Sequence, residues 1–392
     1  MDILFNLFLW LVSGTTAIIL FIDAIPQLNT WQSRIKIGRF HNKEHWQEKV
    51  FMISIKWLKN TPAVPLTDNA RLILIDILKG NYKRSAIQSW QEASLFLGLN
   101  QHLKTTSKPK TQRSLEDFIN SKTDSAGAWK VKPTDSDHVM LAYAFMSAEF
   151  VDSVKYQPAF DETYQLIMSL KGSGGTVAYK NHNRDYCFVD TIGFICPFLV
   201  TYGLKFNIPD AIDLGVNQIL EYQKYGMMPD ENIPCHTYLT VSKIPAGLYG
   251  WGRGLVWFAL GLIDSWNSLP DGHPHKMTLR ELIVKTAKSA LNFQRENGGF
   301  NWLLFVKESR FDSSTTAAMC WFFTLASQIP EISRECNSAK EAGLQYLQSV
   351  TRRNGAVDFS QGDTKGIGVY SQNFDILPFT QGLVLRTLNY RP

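Results

Sequence analysis

The chain has 392 residues, with 40 Lys and Arg against 35 Asp and Glu, and a formal net charge of +5. Hydrophobic residues make up 45% of the chain and aromatic residues 12%, which excludes a disordered or collagen-like chain and a small disulfide scaffold. The basic excess is small and forms no basic stripe, so we expect no nucleic-acid partner. The length suits two or three ordinary domains, or one large toroidal or barrel domain.

The first element in chain order is an uncharged, apolar run from Ile3 to Ile22, whose roughly 20 residues can cross a membrane as a helix. A cleaved signal peptide would have basic residues before the run and a small-residue cleavage site after it, and neither is present. The basic residues that follow the run are Arg34, Lys36, Arg39 and Lys43. By the positive-inside rule, they predict a membrane anchor at 1–24 and a cytoplasmic globular domain at 25–392. The alternative is a buried helix of the globular part.

The cysteines agree with a cytoplasmic domain. There are five, an odd number, and no two of them form a CxxC motif. Cys187, Cys196 and Cys320 have apolar sequence neighbours, as buried cysteines do. We therefore interpret the cysteines as reduced core residues in a reducing compartment.

Helical periodicity dominates the rest of the chain, and strand-like runs are few. Twelve helices are predicted near 44–58, 68–79, 83–100, 137–151, 158–171, 190–206, 209–224, 253–268, 277–296, 314–329, 333–352 and 376–390. The polar stretch between the third and fourth helices, which ends near residue 134, is predicted to be irregular.

The even-numbered helices of this set are the more apolar ones, as in STTAAMCWFFTLA at 314–326, whereas odd-numbered helices such as 279–297 are amphipathic. The last four even-numbered helices begin about 62 residues apart, a period too long for common solenoids. A buried ring of apolar helices inside an amphipathic ring is an all-α (α/α)6 toroid of six helical hairpins. The even-numbered helices would then form the inner ring and begin at one mouth.

Polar and aromatic residues precede or open these inner helices. They include Asp135, Asp137, His182, Asp190, His236, Trp251, Arg253, Trp257 and Asp312. Taken singly, each has an ordinary structural explanation, because aspartates cap helices, tryptophans fill cores and lone histidines satisfy polar neighbours. Their convergence at one mouth favours a functional site there.

Four segments resemble a known group of enzymes. They are VDTIGFICPFL at 189–199, WGRGLVW at 251–257, DGHP at 271–274 and DSSTTAAM at 312–319. These segments are similar to motifs of the unsaturated glucuronyl and rhamnogalacturonyl hydrolases, which are glycoside hydrolase families 88 and 105. The resemblance covers about 130–390 and implies the (α/α)6 fold.

The resemblance also implies a reaction. Its substrate would be an oligosaccharide or polysaccharide fragment with a 4,5-unsaturated uronyl residue at the non-reducing end. A carboxyl group protonates C4 and then accepts a proton from the water that enters at C5, and the resulting hemiketal falls apart. By motif match, Asp190 would be this acid and base and Asp137 the second aspartate, with Asp135 as an alternative for the latter. No metal or organic cofactor is implied.

The residues that the resemblance assigns to sugar binding are Trp251, Arg253, Trp257, His236, Asp312 and Tyr179. Arg253 would bind the uronate carboxylate in fork geometry, between the two tryptophans that flank the sugar. His236 and Asp312 would fill polar positions around it. A family histidine falls on Tyr179 by strict count, and His182 could replace it after a loop shift.

Departures from the family pattern leave more than one function open. The family's Asn-Gly pair is replaced by Leu255-Val256, and its Glu by Asp312. The first hypothesis is a hydrolase of unsaturated uronyl oligosaccharides. The second is a membrane-tethered, non-hydrolytic accessory protein of surface-polysaccharide biosynthesis. The third is a toroidal sugar epimerase, which would need a second base, and His236 is the candidate.

Overall fold

The computed structural model describes residues 2–65, 67–69, 71–81, 88–106, 108–172 and 174–391. Within these ranges the chain forms fourteen α-helices and five short strands. The helices are α1 (Asp2–Arg34), α2 (Lys43–Lys59), α3 (Ile73–Leu78), α4 (Ser89–Thr106), α5 (Pro109–Lys122), α6 (Val139–Met146), α7 (Gln157–Leu170), α8 (Val189–Phe206), α9 (Pro209–Tyr225), α10 (Gly252–Ser268), α11 (Pro274–Leu291), α12 (Ser313–Ala326), α13 (Ser333–Ser349) and α14 (Pro378–Leu388). The strands are β1 (Tyr186–Phe188), β2 (Thr237–Leu239), β3 (Pro245–Ala246), β4 (Ser360–Gln361) and β5 (Phe374–Asp375). The fold is therefore mostly helical, as predicted.

Six of the described helices pack side by side in a closed ring. In ring order they are α4, α6, α8, α10, α12 and α14, and α14 packs back against α4. Helices α2, α5, α7, α9, α11 and α13 pack on the outside of this ring. Every residue of α12 and of α14 is buried; α12 is made of apolar and small residues, and α14 adds Gln381 and Arg386, which have buried partners. The outer helices bury one face only, as the amphipathic pattern of α9 and α13 predicts.

The prediction of which helices form which ring is wrong at the N-terminal end. The segment predicted near 83–100 as an outer helix is α4, an inner helix. The segment near 68–79, predicted as an inner helix, contains only the six-residue α3, which packs on α1. The stretch predicted to be irregular contains α5, an outer helix. The four buried residues of α5, Thr111, Leu115, Phe118 and Ile119, are spaced as on one face of a helix, but the rest of the segment is polar.

Two glycines allow α4 and α14 to close the ring. Gly98 of α4 lies against the carbonyl oxygen of Gly382, and Gly382 of α14 lies against that of Ser94. A Cβ atom at either glycine would collide with the opposite backbone. The absence of a side chain at both positions therefore sets how closely these two helices approach.

Short strands at one end of the ring place the loops that precede the inner helices. Strands β1, β2 and β3 form an antiparallel sheet in which Phe188 pairs with Thr237. Helix α8 follows β1 directly, and the amide of Val189 donates to the carbonyl of His236 at 3.0 Å. This register brings the first turn of α8 next to His236. Strands β4 and β5 form a second pair and are joined by the loop 362–373.

Helix α1 lies outside the two rings. It is 33 residues long, has a mean hydropathy of 2.1 in its most apolar window, and buries none of that window. Helix α8 is also long and apolar enough to cross a membrane, but 78% of its window is buried in the ring. Membrane anchors and signal sequences share the length and composition of α1. All five cysteines are free and buried in the described structure.

Candidate active site

A cavity of about 680 Å³ lies at the end of the ring where α8 begins. Three parts of the chain form its wall: the segment from Tyr179 to Asp190, His236, and the loop 363–367, with Gln88 at its edge. Of the residues predicted for the site, this wall contains Asp190, His236, Tyr179 and the alternative His182.

Asp190 lies in the first turn of α8, with 17% of its side chain exposed. Its Oδ2 atom is buried and accepts no hydrogen bond from any described residue. The Nε2 atom of His236 lies 3.5 Å from this oxygen. A carboxylate oxygen without a donor, at the wall of a cavity, is available for proton transfer to a bound molecule.

His236 is held by Tyr370, which follows the cavity loop. The amide of Leu248 donates to the Tyr370 hydroxyl oxygen at 3.3 Å, and this hydroxyl lies 3.3 Å from Nδ1 of His236. Burial raises the pKa of Tyr370 to about 12, so its hydroxyl keeps its proton and can donate it to Nδ1. When the Tyr370 hydroxyl donates to Nδ1, a ring proton is on Nε2, the nitrogen on the Asp190 side, at 3.5 Å from Oδ2.

Tyr179 is a buried phenol among several carboxyl groups. Burial raises the pKa of its phenol well above the ordinary value, and Asp137, Asp190 and Asp363 raise it further. The hydroxyl therefore stays protonated at neutral pH and is a donor at the cavity wall. Its ring packs on Phe188, with centroids 5.6 Å apart.

Asp137 is buried next to the cavity but does not form part of its wall. It lies in a 3-10 turn, Ser136–His138, and its Oδ1 is 3.0 Å from Nδ1 of His138. The interaction with Asp137 raises the pKa of His138. Asp135, the alternative, instead pairs with Lys180 at 3.2 Å and is partly exposed. The buried aspartate close to Tyr179 is thus Asp137.

A third carboxyl group, Asp363, was not predicted. It lies in the loop between β4 and β5, where Gln88 Nε2 donates to its Oδ2 at 2.6 Å and the amide of Thr364 to its Oδ1 at 2.9 Å. Burial raises its pKa, as does the charge of Asp190, while Arg253 acts in the opposite direction. The only sequence signal is a Gly- and Asp-containing stretch that reads as an ordinary turn, because nothing in it indicates proximity to α8.

Three predicted sugar-binding residues instead converge on Gln361, next to the cavity loop. Arg253 donates to the carbonyl oxygen of Gln361 at 2.5 Å and to that of Gly362 at 2.7 Å. Trp251 Nε1 donates to Gln361 Oε1 at 3.0 Å. The amide of Gln361 donates to Asp312 at 2.9 Å. None of Arg253, Trp251 and Asp312 forms part of the cavity wall.

Asp312 is fully buried as the cap of α12. Its carboxylate accepts hydrogen bonds from the amides and hydroxyls of Ser314 and Thr315, in addition to the amide of Gln361. These donors satisfy both oxygens, so this carboxylate ties α12 to β4.

Trp257 lies in the core of the ring. Its ring contacts Phe194 at 4.6 Å, Phe379 at 4.9 Å and Trp90 at 5.4 Å between centroids. Leu255 and Val256, the departures from the family pattern, are also fully buried and lie outside the cavity wall. The change from the family's Asn-Gly therefore does not alter the residues that form the wall.

Among the residues described, no three His, Cys, Asp or Glu side chains are grouped closely enough to hold a metal ion. The cations of the cavity wall are Lys180 and Lys365. Both have acidic partners, since Lys365 Nζ lies 2.9 Å from Asp68 and Lys180 is paired with Asp135. The site thus combines a carboxylate with an unpaired oxygen, a histidine, a protonated phenol and two lysines.

Comparisons with known proteins give the family and the fold of the chain. The model of Glycosyl Hydrolase Family 88 matches residues 74–385. Comparison with curated proteins gives no match. A solved structure from Klebsiella pneumoniae, described as a possible member of family GH105, superposes with a TM-score of 0.75 at 14% identity, covering 90% of this chain and 93% of that one. An unsaturated glucuronyl hydrolase from Bacillus sp. GL1 gives 0.66 at 16% identity, covering 88% and 96%. At such identities, these likenesses show a shared fold.

Proposed function

We propose that this chain, which belongs to Glycosyl Hydrolase Family 88, removes a 4,5-unsaturated uronyl residue from the non-reducing end of an oligosaccharide. Family membership supports the general activity of a glycoside hydrolase. The observation that carries the finer proposal is the Asp190 carboxylate, which has an oxygen without a donor and lies beside His236 at a cavity wall.

In the proposed reaction, protonated Asp190 transfers its proton to C4, and positive charge develops at C5 next to the ring oxygen. Water adds at C5 and returns a proton to Asp190, so the carboxyl group is regenerated. The hemiketal opens at the bond from C5 to the ring oxygen, giving a ketone at C5 and a hemiacetal at C1. The hemiacetal then releases the rest of the oligosaccharide as an alcohol, so one water is consumed overall.

The other residues have different proposed roles. Tyr179 and His236 contact the sugar as hydrogen-bond donors, and Asp137 supports Tyr179 from outside the cavity wall. Arg253, Trp251 and Asp312 act through Gln361 by holding the loop that carries Asp363, a role supported by their hydrogen bonds. Lys180 and Lys365 are the cations nearest to a bound uronate carboxylate, because both are in the wall. Trp257 supports the fold of the ring.

The experiment follows the ultraviolet absorbance of the unsaturated uronyl group, which is lost on hydration. The full-length chain is incubated with a panel of disaccharides produced by polysaccharide lyases. We expect absorbance loss with at least one of them, and a decrease of at least about 10²-fold in Asp190→Asn, which cannot protonate C4. Asp117→Asn, at an exposed aspartate of the outer helix α5 that is not part of the cavity wall, is the matched control. Unchanged absorbance over the whole panel would contradict the proposal.

A second candidate function is a membrane-tethered, non-hydrolytic accessory protein of surface-polysaccharide biosynthesis. The exposed apolar α1 favours it, because a soluble oligosaccharide does not require an anchored enzyme. This candidate predicts binding of saturated or lipid-linked glycans without turnover. Calorimetric titration with such glycans, alongside the absorbance assay, distinguishes the two functions.

We also propose that residues 1–24 anchor the chain in a membrane and that 25–392 form a cytoplasmic catalytic domain. Contacts at the end of α1 support retention of the helix: Asp23 accepts from the amides of Leu72 and Ile73, and Arg34 pairs with Asp358 at 2.7 Å. The intact mass of the membrane-extracted protein tests this proposal. A mature chain that has lost its first 20 or so residues, as after signal-peptide cleavage, would contradict it.

A further inference from the structure

A second apolar surface lies beside α1, on the short helix α3. This helix has the sequence ILIDIL, and only Ile73 and Asp76 of its six residues are buried. The exposed apolar side chains of α3 and the residue before it are Leu72, Ile75, Ile77 and Leu78, and Leu78 is 78% exposed. A six-residue helix with apolar side chains on its protein face and on its outer face is unusual for a surface in contact with water.

The position of α3 along α1 is fixed by Asp23. Its two carboxylate oxygens accept hydrogen bonds from the amides of Leu72 at 2.7 Å and Ile73 at 2.8 Å, the start of α3. Asp23 is also the first charged residue after the apolar run from Ile3 to Ile22. As a helix, that run is about 30 Å long, the thickness of a hydrocarbon core. If the run spans a membrane, α3 begins at the boundary between hydrocarbon and headgroups.

Exposed basic residues flank this surface. Arg71 and Lys79 lie at the two ends of α3. Apolar side chains flanked by lysine and arginine are the composition of segments that lie in the interface of a membrane with anionic lipids.

We propose that α3 and these two basic residues form a membrane-contact surface, which lies in the headgroup region of an anionic bilayer beside α1. This inference rests on the proposed membrane anchor and goes beyond it, because an anchor alone leaves the domain free to tumble above the membrane. Two contact elements, α1 and α3, hold the domain in one orientation.

The membrane-contact surface is joined to the cavity. The segment 67–69, just before α3, binds the loop between β4 and β5. Asp68 pairs with Lys365 at 2.9 Å and accepts from the Ser371 hydroxyl at 2.5 Å, and Asn373 donates to the carbonyl of Thr67 at 3.0 Å. The loop that forms the cavity wall is therefore bound to the same segment that leads to the bilayer. This orientation suits a substrate glycan that is itself held at the membrane surface.

The test measures the depth of α3 in the bilayer. The full chain is reconstituted into vesicles of phosphatidylcholine with phosphatidylglycerol, with Leu78→Cys labelled by an environment-sensitive fluorophore. Val154→Cys is the matched control, because Val154 is 74% exposed and lies between α6 and α7, at the opposite end of the ring. The native cysteines are buried, so wild type treated with the same reagent gives the background.

We expect headgroup-labelled quencher lipids to quench the probe at position 78 by at least about half and to leave the probe at 154 nearly unchanged. Replacing the anionic lipid with neutral lipid should reduce this difference. If the protein floats with the vesicles but both probes are quenched equally little, the anchor stands and the membrane-contact surface is refuted. If the protein does not float with the vesicles at all, the anchor itself is refuted and the surface with it.

Discussion

Replacing Arg253 by methionine distinguishes a substrate-binding arginine from one that holds the cavity loop. The guanidinium donates to the carbonyls of Gln361 and Gly362 and lies over the ring of Trp251 at 5.3 Å. Methionine fills a similar volume but donates no hydrogen bond. The variant then loses these two hydrogen bonds and a longer one to the Thr364 hydroxyl at 3.4 Å. A hydrogen bond from a charged group is worth about 1.5–3 kcal/mol.

Gly362 is only half-buried, so water can replace part of this loss. We therefore expect the free energy of unfolding to fall by about 2–4 kcal/mol, and the melting temperature by about 3–5 °C. Because the loop carries Asp363 and Lys365, a displacement of about 1 Å should also lower kcat/KM by about 10²-fold. Calorimetry and the absorbance assay measure the two effects on the same preparation.

Arg295→Met is the matched control. Arg295 also makes two hydrogen bonds, to Asn301 Oδ1 at 2.7 Å and to the carbonyl of Leu304 at 2.8 Å, in a loop outside the cavity wall. Its replacement should lower the melting temperature by a similar amount with little change in kcat/KM. The reasoning is refuted if Arg253→Met raises KM strongly while its melting temperature equals that of wild type, since that result would place the guanidinium on the substrate.

Three further predictions concern charge, packing and the histidine. Burial raises the pKa of Asp363, so the charged carboxylate lowers the stability of the folded protein above that pKa. Asp363→Asn should therefore be more stable than wild type at pH 7. The difference should vanish below about pH 4, where the carboxyl group is protonated in both the folded and the unfolded protein. Thermal unfolding across this pH range measures it, and equal stability at pH 7 would contradict the argument. Asp264→Leu should lower the free energy of unfolding in urea by about 3–5 kcal/mol. The buried guanidinium of Arg386, which lies 2.7 Å from Asp264 in wild type, loses its acidic partner in this variant. Recovery of stability in the double variant Asp264→Leu/Arg386→Met is the check. Tyr370→Phe removes the hydroxyl that faces Nδ1 of His236, and kcat should fall about 10-fold with an almost unchanged melting temperature; an unchanged kcat would show that this contact does not matter for the reaction.

The inner helices could be predicted from sequence where every side of the helix is apolar, as in α10 and α12. The same criterion should have identified α4, whose sequence is apolar around Phe96 and Leu97, but the count of helices before it was wrong. The error came from α3 and α5. A six-residue helix is shorter than a sequence pattern can indicate. Helix α5 does have its buried residues at helical spacing, but it is short of apolar residues and lies in a polar stretch.

Some residues of the candidate site could be predicted from the sequence, and others could not. Asp190 and His236 could be proposed because one opens an apolar helix and both accompany a recognisable motif. Asp363 could not, because its closeness to Asp190 arises from contacts between the β4–β5 loop and residues more than 100 positions away, such as Arg253. A motif gives residue types and spacing but not hydrogen-bond partners. It therefore could not show that the Arg253 guanidinium donates to backbone carbonyls of the chain and not to a substrate.

By itself, the sequence determined the features that depend on local composition and period: an apolar run before a basic segment, an alternation of apolar and amphipathic helices, and aspartates at helix starts. These features follow from burial and capping within one or two helical turns. The tertiary structure alone decided which helices close the ring. It also decided that Trp251, Arg253 and Asp312 form hydrogen bonds with Gln361, and that Asp363 lies in the same cavity wall as Asp190. The physical reason is that these outcomes depend on contacts between segments far apart in the chain, which only the closure of α14 against α4 brings together.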